Sequence, residues 1–251
     1  RNDTIFVSGS SGFALPRCGF IYARFTQTSS TNASIAVEFN IADLASTKDN
    51  LDPLGRVAAD PDFTIFQWNV DHSFYLEPIF DSSNFLAGNS TLAHEIGLSF
   101  RGQTSFDTRL IPAFQQVAGG FYSVRGYDES EQAGDSALVA TAEYRLHIPR
   151  LFEVSDNTID IFGPTRTNPG ANYVRPDWDL ILRGFVDVGY TINADKFNFE
   201  KDETLLGTGV GVELQVKRNL NVRLDWGIAV EETRTSPSGN NRLHFSATFL
   251  F

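Results

Sequence analysis

The side chains best able to perform covalent chemistry are few in this sequence of 251 residues. Ser136 follows Gly134-Asp135, a context known from hydrolases, but no strand-to-helix elbow surrounds it to expose a nucleophile. Cys18 is the only cysteine, which excludes an internal disulfide and a Cys-rich zinc site. The four histidines are isolated at strand spacing and supply no paired metal ligands: His72, His94, His147 and His244. We therefore expect no enzyme, no cofactor and no metal.

Full charges instead recur at alternate positions of apolar segments. Examples are Arg183, Asp187, Glu213, Arg223 and Asp225. A guanidinium can bond a carboxylate through two parallel hydrogen bonds. The chemistry that this pattern supports is therefore the pairing of charges.

The elements that carry these charges are predicted to be β-strands. In 178–191 the positions Trp178, Leu182 and Tyr190 fall on one face, and Asp187 falls on the other. Such period-two alternation predicts about ten strands. They are 3–9, 18–27, 33–41, 64–76, 91–103, 136–148, 178–191, 204–217, 219–231 and 242–251. Most run to roughly 9–14 residues, which is longer than soluble strands and long enough for a tilted strand to cross a membrane.

The net charge argues against nucleic acid, and the apolar strand faces argue for a membrane. The net charge of −11 argues against a nucleic-acid partner, which needs a basic face. The longest uncharged run, 110–124, is too short and too polar for a spanning helix. The apolar strand faces are nearly free of charge, with aromatics near their ends, as in barrels that contact lipid. We predict an all-β, transmembrane, antiparallel β-barrel, with a soluble β-sandwich as the alternative.

The connections between strands fall into two groups. The turns at 28–32 and 217–219 are short. Four connections are longer and polar or Gly-rich: 42–61, 104–135, 192–203 and 232–241. If Phe251 ends at the periplasmic side, alternation places all four outside the cell, as expected of such barrels. The Pro-rich insertion 149–177 then falls on the periplasmic side, and the sequence gives no account of it.

The loop 104–135 carries a distinctive motif, Val124-Arg125-Gly126-Tyr127. It resembles the lid-loop signature of outer-membrane polypeptide transporters, which comprise two-partner secretion pores (hemolysin secretion and activation proteins) and barrel-assembly relatives. Further matching segments follow in the same order: Gly119-Gly120, Gly134-Asp135, Glu143-Tyr144-Arg145, Gly184-Phe185-Val186-Asp187-Val188-Gly189 and the ending His244–Phe251. Pro61-Asp62-Phe63 is similar to the secretion branch. The resemblance spans 33–251.

The resemblance implies that the lid loop, 104–135, folds into the pore. It also implies that Arg125 pairs with Asp187, which Phe185 and Gly189 flank. Glu143 is a possible second carboxylate. The terminal aromatics Phe249 and Phe251 would form the barrel-insertion signal.

Glycines on the predicted inner face permit such docking: Gly189, Gly207, Gly209, Gly211 and Gly227. Glycine weakens a strand unless another chain approaches closely. We therefore predict a smooth wall on which the lid loop docks.

By resemblance, residues 1–251 are the C-terminal part of a barrel of about sixteen strands. The remaining strands would precede Arg1, and the sequence contains no Met. The implied function is translocation of an unfolded polypeptide across the outer membrane of a Gram-negative-type bacterium. The implied partners are a secreted polypeptide cargo, outer-membrane lipid and, through the C-terminal strand, the barrel-assembly machinery.

Three alternatives remain open. The first is an outer-membrane insertase, which acts by lateral opening at the seam formed by the last strand. The second is a passive diffusion porin, which should lack a paired latch. The third is a soluble β-sandwich with a binding or hydrolytic role.

Overall fold

The computed structural model describes residues 9–45, 49–152, 155–168 and 177–251. Its strands are β1 (Arg17–Phe25), β2 (Ser29–Phe39), β3 (Thr64–Tyr75), β4 (His94–Thr104), β5 (Gln116–Ala118), β6 (Gln132–Gly134), β7 (Ser136–His147), β8 (Ser155–Asp160), β9 (Pro164–Asn168), β10 (Trp178–Ile192), β11 (Glu203–Val216), β12 (Leu220–Ala229) and β13 (Asn241–Phe249). Three short helices are α1 (Ala42–Ala45), α2 (Glu77–Phe80) and α3 (Ser82–Leu86). Within these described ranges, no helix has the length and apolar character needed to cross a bilayer.

Nine strands form one antiparallel sheet in the order β1-β2-β3-β4-β7-β10-β11-β12-β13. The all-β prediction is confirmed, and nine of the predicted strands are present. The predicted strand 3–9 lies outside the described residues except at Gly9, which is not in a strand. The sheet is not closed, since β1 and β13 do not pair with each other, so the barrel is present in part.

The two faces of this sheet have opposite character. Along β10, exposure alternates with the side-chain period of two: Leu182 and Val186 are 45% and 46% exposed, whereas Asp187 is fully buried. Large apolar side chains on β12 and β13 are exposed in the same way, including Trp226 and Phe245. Charged residues are buried on the inner face, which is the face that carries Asp187. A sandwich would bury the apolar rows instead, and no second sheet covers them in the described ranges.

The long connections gather at one end of the sheet, as predicted. There the connection 40–63 meets 193–202, with Arg56 Nε donating to Glu200 Oε1 at 3.0 Å. The lid loop meets 230–240, with Thr235 Oγ1 donating to Glu131 Oε1 at 2.5 Å. Strand alternation accounts for this arrangement, because every second connection returns to the same end.

The opposite end is not made only of short turns. The connection 76–93 carries α2 and α3, and the Pro-rich insertion contains the hairpin β8–β9. That hairpin lies beside the last strands: Lys217 Nζ donates to the Phe162 carbonyl at 2.8 Å, and the rings of Phe162 and Phe249 are 5.5 Å apart. Residues 153–154 and 169–176 of the insertion lie outside the described ranges.

Candidate functional site

The lid loop folds over the inner face of the sheet, and its motif contacts the strands directly. A short ladder between β5 and β6 closes the base of the loop. Val124 and Tyr127 are fully buried, and Arg125 is 2% exposed. Gly126 has a φ of 101°, and an added Cβ would lie 2.6 Å from the Ala229 nitrogen. Only glycine fits this left-handed position, because both the backbone angle and the space exclude a side chain.

The structure brings Arg125 and Asp187 together. Arg125 Nε donates to Asp187 Oδ2 at 2.7 Å, and Nη2 donates to Oδ1 at 2.8 Å. The two bonds form a bidentate pair, the strongest geometry between these groups. The guanidinium carbon of Arg125 also lies 3.3 Å from the centre of the Phe185 ring, so Phe185 supports the pair by a cation–π contact.

Two further carboxylates bind the same guanidinium. Arg125 Nη1 donates to Glu143 Oε2 at 2.9 Å and to Asp225 Oδ2 at 3.0 Å. All three carboxylates are buried, with exposed fractions of 4% or less. Glu143 was a sequence candidate, whereas Asp225 was noted only as a charge on the inner face.

Three more arginines bind two of these carboxylates. Arg145 Nε donates to Glu143 at 2.7 Å, and Arg223 Nη2 donates to Asp225 at 2.6 Å. Arg183 pairs with Asp225. The strand register explains why these charged groups are crowded. It places Arg183 of β10 directly opposite Arg145 of β7, on the inner face beneath the lid loop. Like charges in such positions repel unless carboxylates separate them, and here the carboxylates lie between them.

The five glycines predicted to form the wall have two kinds of neighbour. Added Cβ atoms at Gly207 and Gly227 would lie 2.1 Å and 2.8 Å from main-chain atoms of Arg125, and one at Gly189 would lie 2.8 Å from Val124. These three glycines face the lid loop. Gly209 and Gly211 do not: their nearest side-chain neighbours are Phe185 and Asp225, at 2.6 Å and 2.1 Å from the added Cβ. Those two glycines give room to side chains of the sheet itself.

Tyr127 anchors the end of the motif. Its single hydroxyl hydrogen lies between the carbonyls of Glu231 and Leu206, which are 2.7 Å and 3.0 Å from the hydroxyl oxygen, and that oxygen accepts from the Leu206 nitrogen at 3.1 Å. Its ring packs in a core cluster with Val124, Val139 and other apolar side chains. The motif is thus fixed on both sides of Arg125.

A second polar cluster, the loop-end cluster, consists of Arg56, Arg109, Asp135 and Glu200. Arg109 donates two hydrogen bonds to Glu200, at 2.6 Å and 3.0 Å, and Arg56 bonds both Glu200 and Asp135. Asp135 also accepts from the Ala194 nitrogen at 2.8 Å. The cluster ties the base of the lid loop to the connections 40–63 and 193–202.

The electrostatics of the loop-end cluster favour a charged Glu200. Burial raises the pKa of the Glu200 carboxyl. Hydrogen bonds from Arg109, the Phe197 nitrogen and Arg56 outweigh burial and hold that pKa at about 2.

Other predicted residues lie apart from this site. Phe249 and Phe251 are exposed at the opposite end of the sheet, with ring centres 6.0 Å apart. No group of three His, Cys, Asp or Glu side chains suited to a metal occurs among the residues that the structure describes. Sequence reasoning named Asp135, in the segment Gly134-Asp135, but not the other three members of the loop-end cluster, which are charges in polar connections.

The fold and the site together describe part of a β-barrel with an inward-folded loop bound to its wall. No family model matches the sequence, and no curated protein matches it. Solved structures do. CdiB from Escherichia coli superposes with a TM-score of 0.64 at 13% identity, covering 98% of this chain and 39% of its own. CdiB from Acinetobacter baumannii superposes with a TM-score of 0.55 at 15% identity, covering 92% and 32%.

These two proteins are transporters of the two-partner secretion type. Likeness at such identities shows a shared fold. The chain spans between one third and two fifths of their length.

Proposed function

We propose that this chain is the C-terminal part of an outer-membrane β-barrel that moves an unfolded polypeptide from the periplasm to the cell surface. The observation that carries the proposal is the Arg125 guanidinium, bound by Asp187, Glu143 and Asp225 on the inner face of the sheet. Shared fold with two-partner secretion transporters supports it.

The bound loop argues for a gated pore. A passive porin needs a lumen that small solutes cross at all times, and its loop has no need of a buried latch. Removing one partner of a buried ion pair costs about 3–5 kcal/mol, so a lid with its latch open is a minor population in the absence of cargo. A cargo that displaces the lid must supply comparable contacts, which an extended polypeptide does along its whole length.

The outer surface and the two ends support the proposed partners. Exposed apolar rows such as Leu182, Val186 and Phe245 face outer-membrane lipid. The end that carries the long connections faces the cell surface. The C-terminal strand, with Phe249 and Phe251, is the segment that the barrel-assembly machinery recognises.

The insertase alternative differs from the proposed function in what β13 does. An insertase uses the edge of its last strand to template other barrels, whereas a secretion pore keeps that edge closed.

One experiment separates these functions. Cells lacking the protein are compared with complemented cells by mass spectrometry of secreted, surface and outer-membrane proteins. We expect one or a few surface polypeptides to disappear while other outer-membrane barrels remain. Loss of many barrels would indicate an insertase, and unchanged surface polypeptides with slower uptake of small solutes would indicate a porin.

A further inference from the structure

The inner face of the sheet is chemically divided. Under the lid motif it carries paired charges. Along β3 and β4 it carries neutral groups, Gln67, Asn69, Ser73, Gly97 and Ser99, and three charged ones, Asp71, Arg101 and Glu95. Asn69 donates to Asp71 at 2.6 Å. The two halves meet where β4 pairs with β7.

Two cavities follow β3 and β4. One of about 290 Å³ lies between Asp71, Gly97 and Ser99 on the sheet and Phe121 and Tyr122 on the lid loop, and its other side is lined by the charged cluster, through Arg125, Glu143, Arg145 and Arg223. The other, of about 480 Å³, lies between Gln67 and Asn69 on the sheet and Gln116 and Val117 of β5. Because Asn69 and Asp71 are consecutive inner-face positions of β3, the cavities follow one another along the same strands.

A contact between the sheet and the lid loop joins residues that line the two cavities. Arg101 lies on the inner face of β4, opposite Asn69 in the register, and its guanidinium donates to the Tyr122 carbonyl of the lid loop. Arg101 lines the larger cavity and Tyr122 lines the smaller one. The contact therefore bridges the space between the sheet and the lid.

We infer that the two cavities are successive parts of one track that holds an extended polypeptide along β3 and β4, and that the Arg101–Tyr122 contact closes it. The inference rests on the proposed function and names the path within the pore. Amide and hydroxyl side chains both donate and accept hydrogen bonds, as the backbone of an extended chain does. These side chains can therefore bind a polypeptide of any sequence, because every polypeptide has the same backbone groups.

The charged cluster borders the smaller cavity but offers a passing chain few free hydrogen-bonding groups. Its guanidinium and carboxylate groups already bind each other, so a passing chain would have to break buried ion pairs. On β3 and β4 the chain would exchange bonds to water for bonds to neutral side chains, which lets it both bind and slide.

The track is tested with single cysteines in the full protein, on a Cys18→Ser background. Asn69→Cys and Ser99→Cys are labelled with a water-soluble cationic thiol reagent in planar bilayers. The probe is a synthetic unfolded peptide rich in Ser, Gly and Asn. Val139→Cys is the matched control, because Val139 lies opposite Arg101 in the β4–β7 register but is buried under the lid.

We expect labelling at 69 and 99 to lower the single-channel conductance, and the peptide to slow that labelling at least tenfold. Position 139 should label slowly with or without peptide. Labelling at 69 and 99 that the peptide does not slow, in protein that still delivers its polypeptide to the surface, would overturn the track and leave the proposed function standing. Slowed labelling without surface delivery would instead refute the proposed function.

The closing contact has its own test. Arg101→Ala should raise the single-channel conductance severalfold, whereas Arg101→Lys, which retains a donor, should stay near the wild-type value. Arg218→Ala, at an exposed turn residue, controls for loss of one positive charge. Equal conductance of Arg101→Ala and the wild type would show that the contact closes nothing.

Discussion

The Asp187 carboxylate binds both the main-chain nitrogen and the guanidinium of Arg125. The Arg125 nitrogen donates to Asp187 Oδ2 at 3.1 Å, in addition to the two bonds from the guanidinium. Thr141 Oγ1 donates to Asp187 Oδ1 at 2.9 Å and fixes the carboxylate. One carboxylate thus sets both where the loop lies and where its guanidinium points.

Charge reversal at Asp187 should release the lid loop. Asp187→Arg places two guanidinium groups together in a buried site and removes the acceptor of the Arg125 nitrogen. Loss of one partner costs about 3–5 kcal/mol, less where water enters the lumen. We expect faster proteolysis within 119–135 and reduced delivery of polypeptide to the surface.

The double variant Asp187→Arg with Arg125→Asp should restore part of the loss. Restoration is partial, because the exchanged pair leaves the main-chain nitrogen at position 125 without its acceptor. Asp62→Arg, at an exposed site, makes the same charge change and should behave as wild type. Wild-type proteolysis and delivery in Asp187→Arg would refute the latch.

The close approach of the lid loop to Gly207 should be as important for docking of the loop as the charges of Arg125 and Asp187. Gly207→Ala puts a methyl group 2.1 Å from the Arg125 carbonyl, so the loop must move away from the wall. We expect increased channel conductance and faster cleavage of the lid loop. Gly184→Ala is the matched control: Gly184 lies on the outer face of β10 with nothing within 4 Å of an added Cβ. Equal behaviour of the two variants would show that the loop does not rest on Gly207.

The stability of the loop-end cluster should fall at acid pH. The folded-state pKa of Glu200 is about 2, below the ordinary value of 4.5. A carboxyl with a depressed pKa stabilises the fold above its unfolded pKa, and this contribution is lost as the pH falls from about 4.5 to 2. Labelling of 193–202 by hydroxyl radicals should rise as the pH falls through that window. Glu200→Gln should show high labelling already at neutral pH, and a flat pH profile in the wild type would contradict the assignment.

The strands and their faces were predictable because the side-chain period of two is local. Arg183, Asp187 and Asp225 fell on the inner face by that pattern alone. Their mutual contacts were not predictable, because they depend on the register between strands that are far apart in sequence. Asp225 meets Arg125 across 100 positions. The ladder from β10 through β12 places Asp225 in one row with Arg183, and Arg125 reaches it only because the lid loop docks there.

The loop contacts were less accessible still. Arg56 and Glu200 lie in connections without periodicity, 144 positions apart, so no local pattern links them. The hairpin β8–β9 was missed for a related reason: its prolines and short strands give a weak alternation. The neighbours of Gly209 and Gly211 were not predictable, because sequence shows that a glycine makes room but not for which neighbour.

The Tyr127 hydroxyl should stabilise the docked lid measurably. Tyr127→Phe keeps the buried ring but removes the hydrogen bonds of the hydroxyl and leaves the Leu206 nitrogen without this acceptor. An unsatisfied buried group costs about 1–3 kcal/mol. We expect a lower unfolding temperature in detergent and faster hydrogen exchange over 119–135. Tyr122→Phe, at a 71% exposed ring, loses a hydroxyl of the same kind and should leave both unchanged. Equal exchange in Tyr127→Phe and Tyr122→Phe would show that the ring alone anchors the loop.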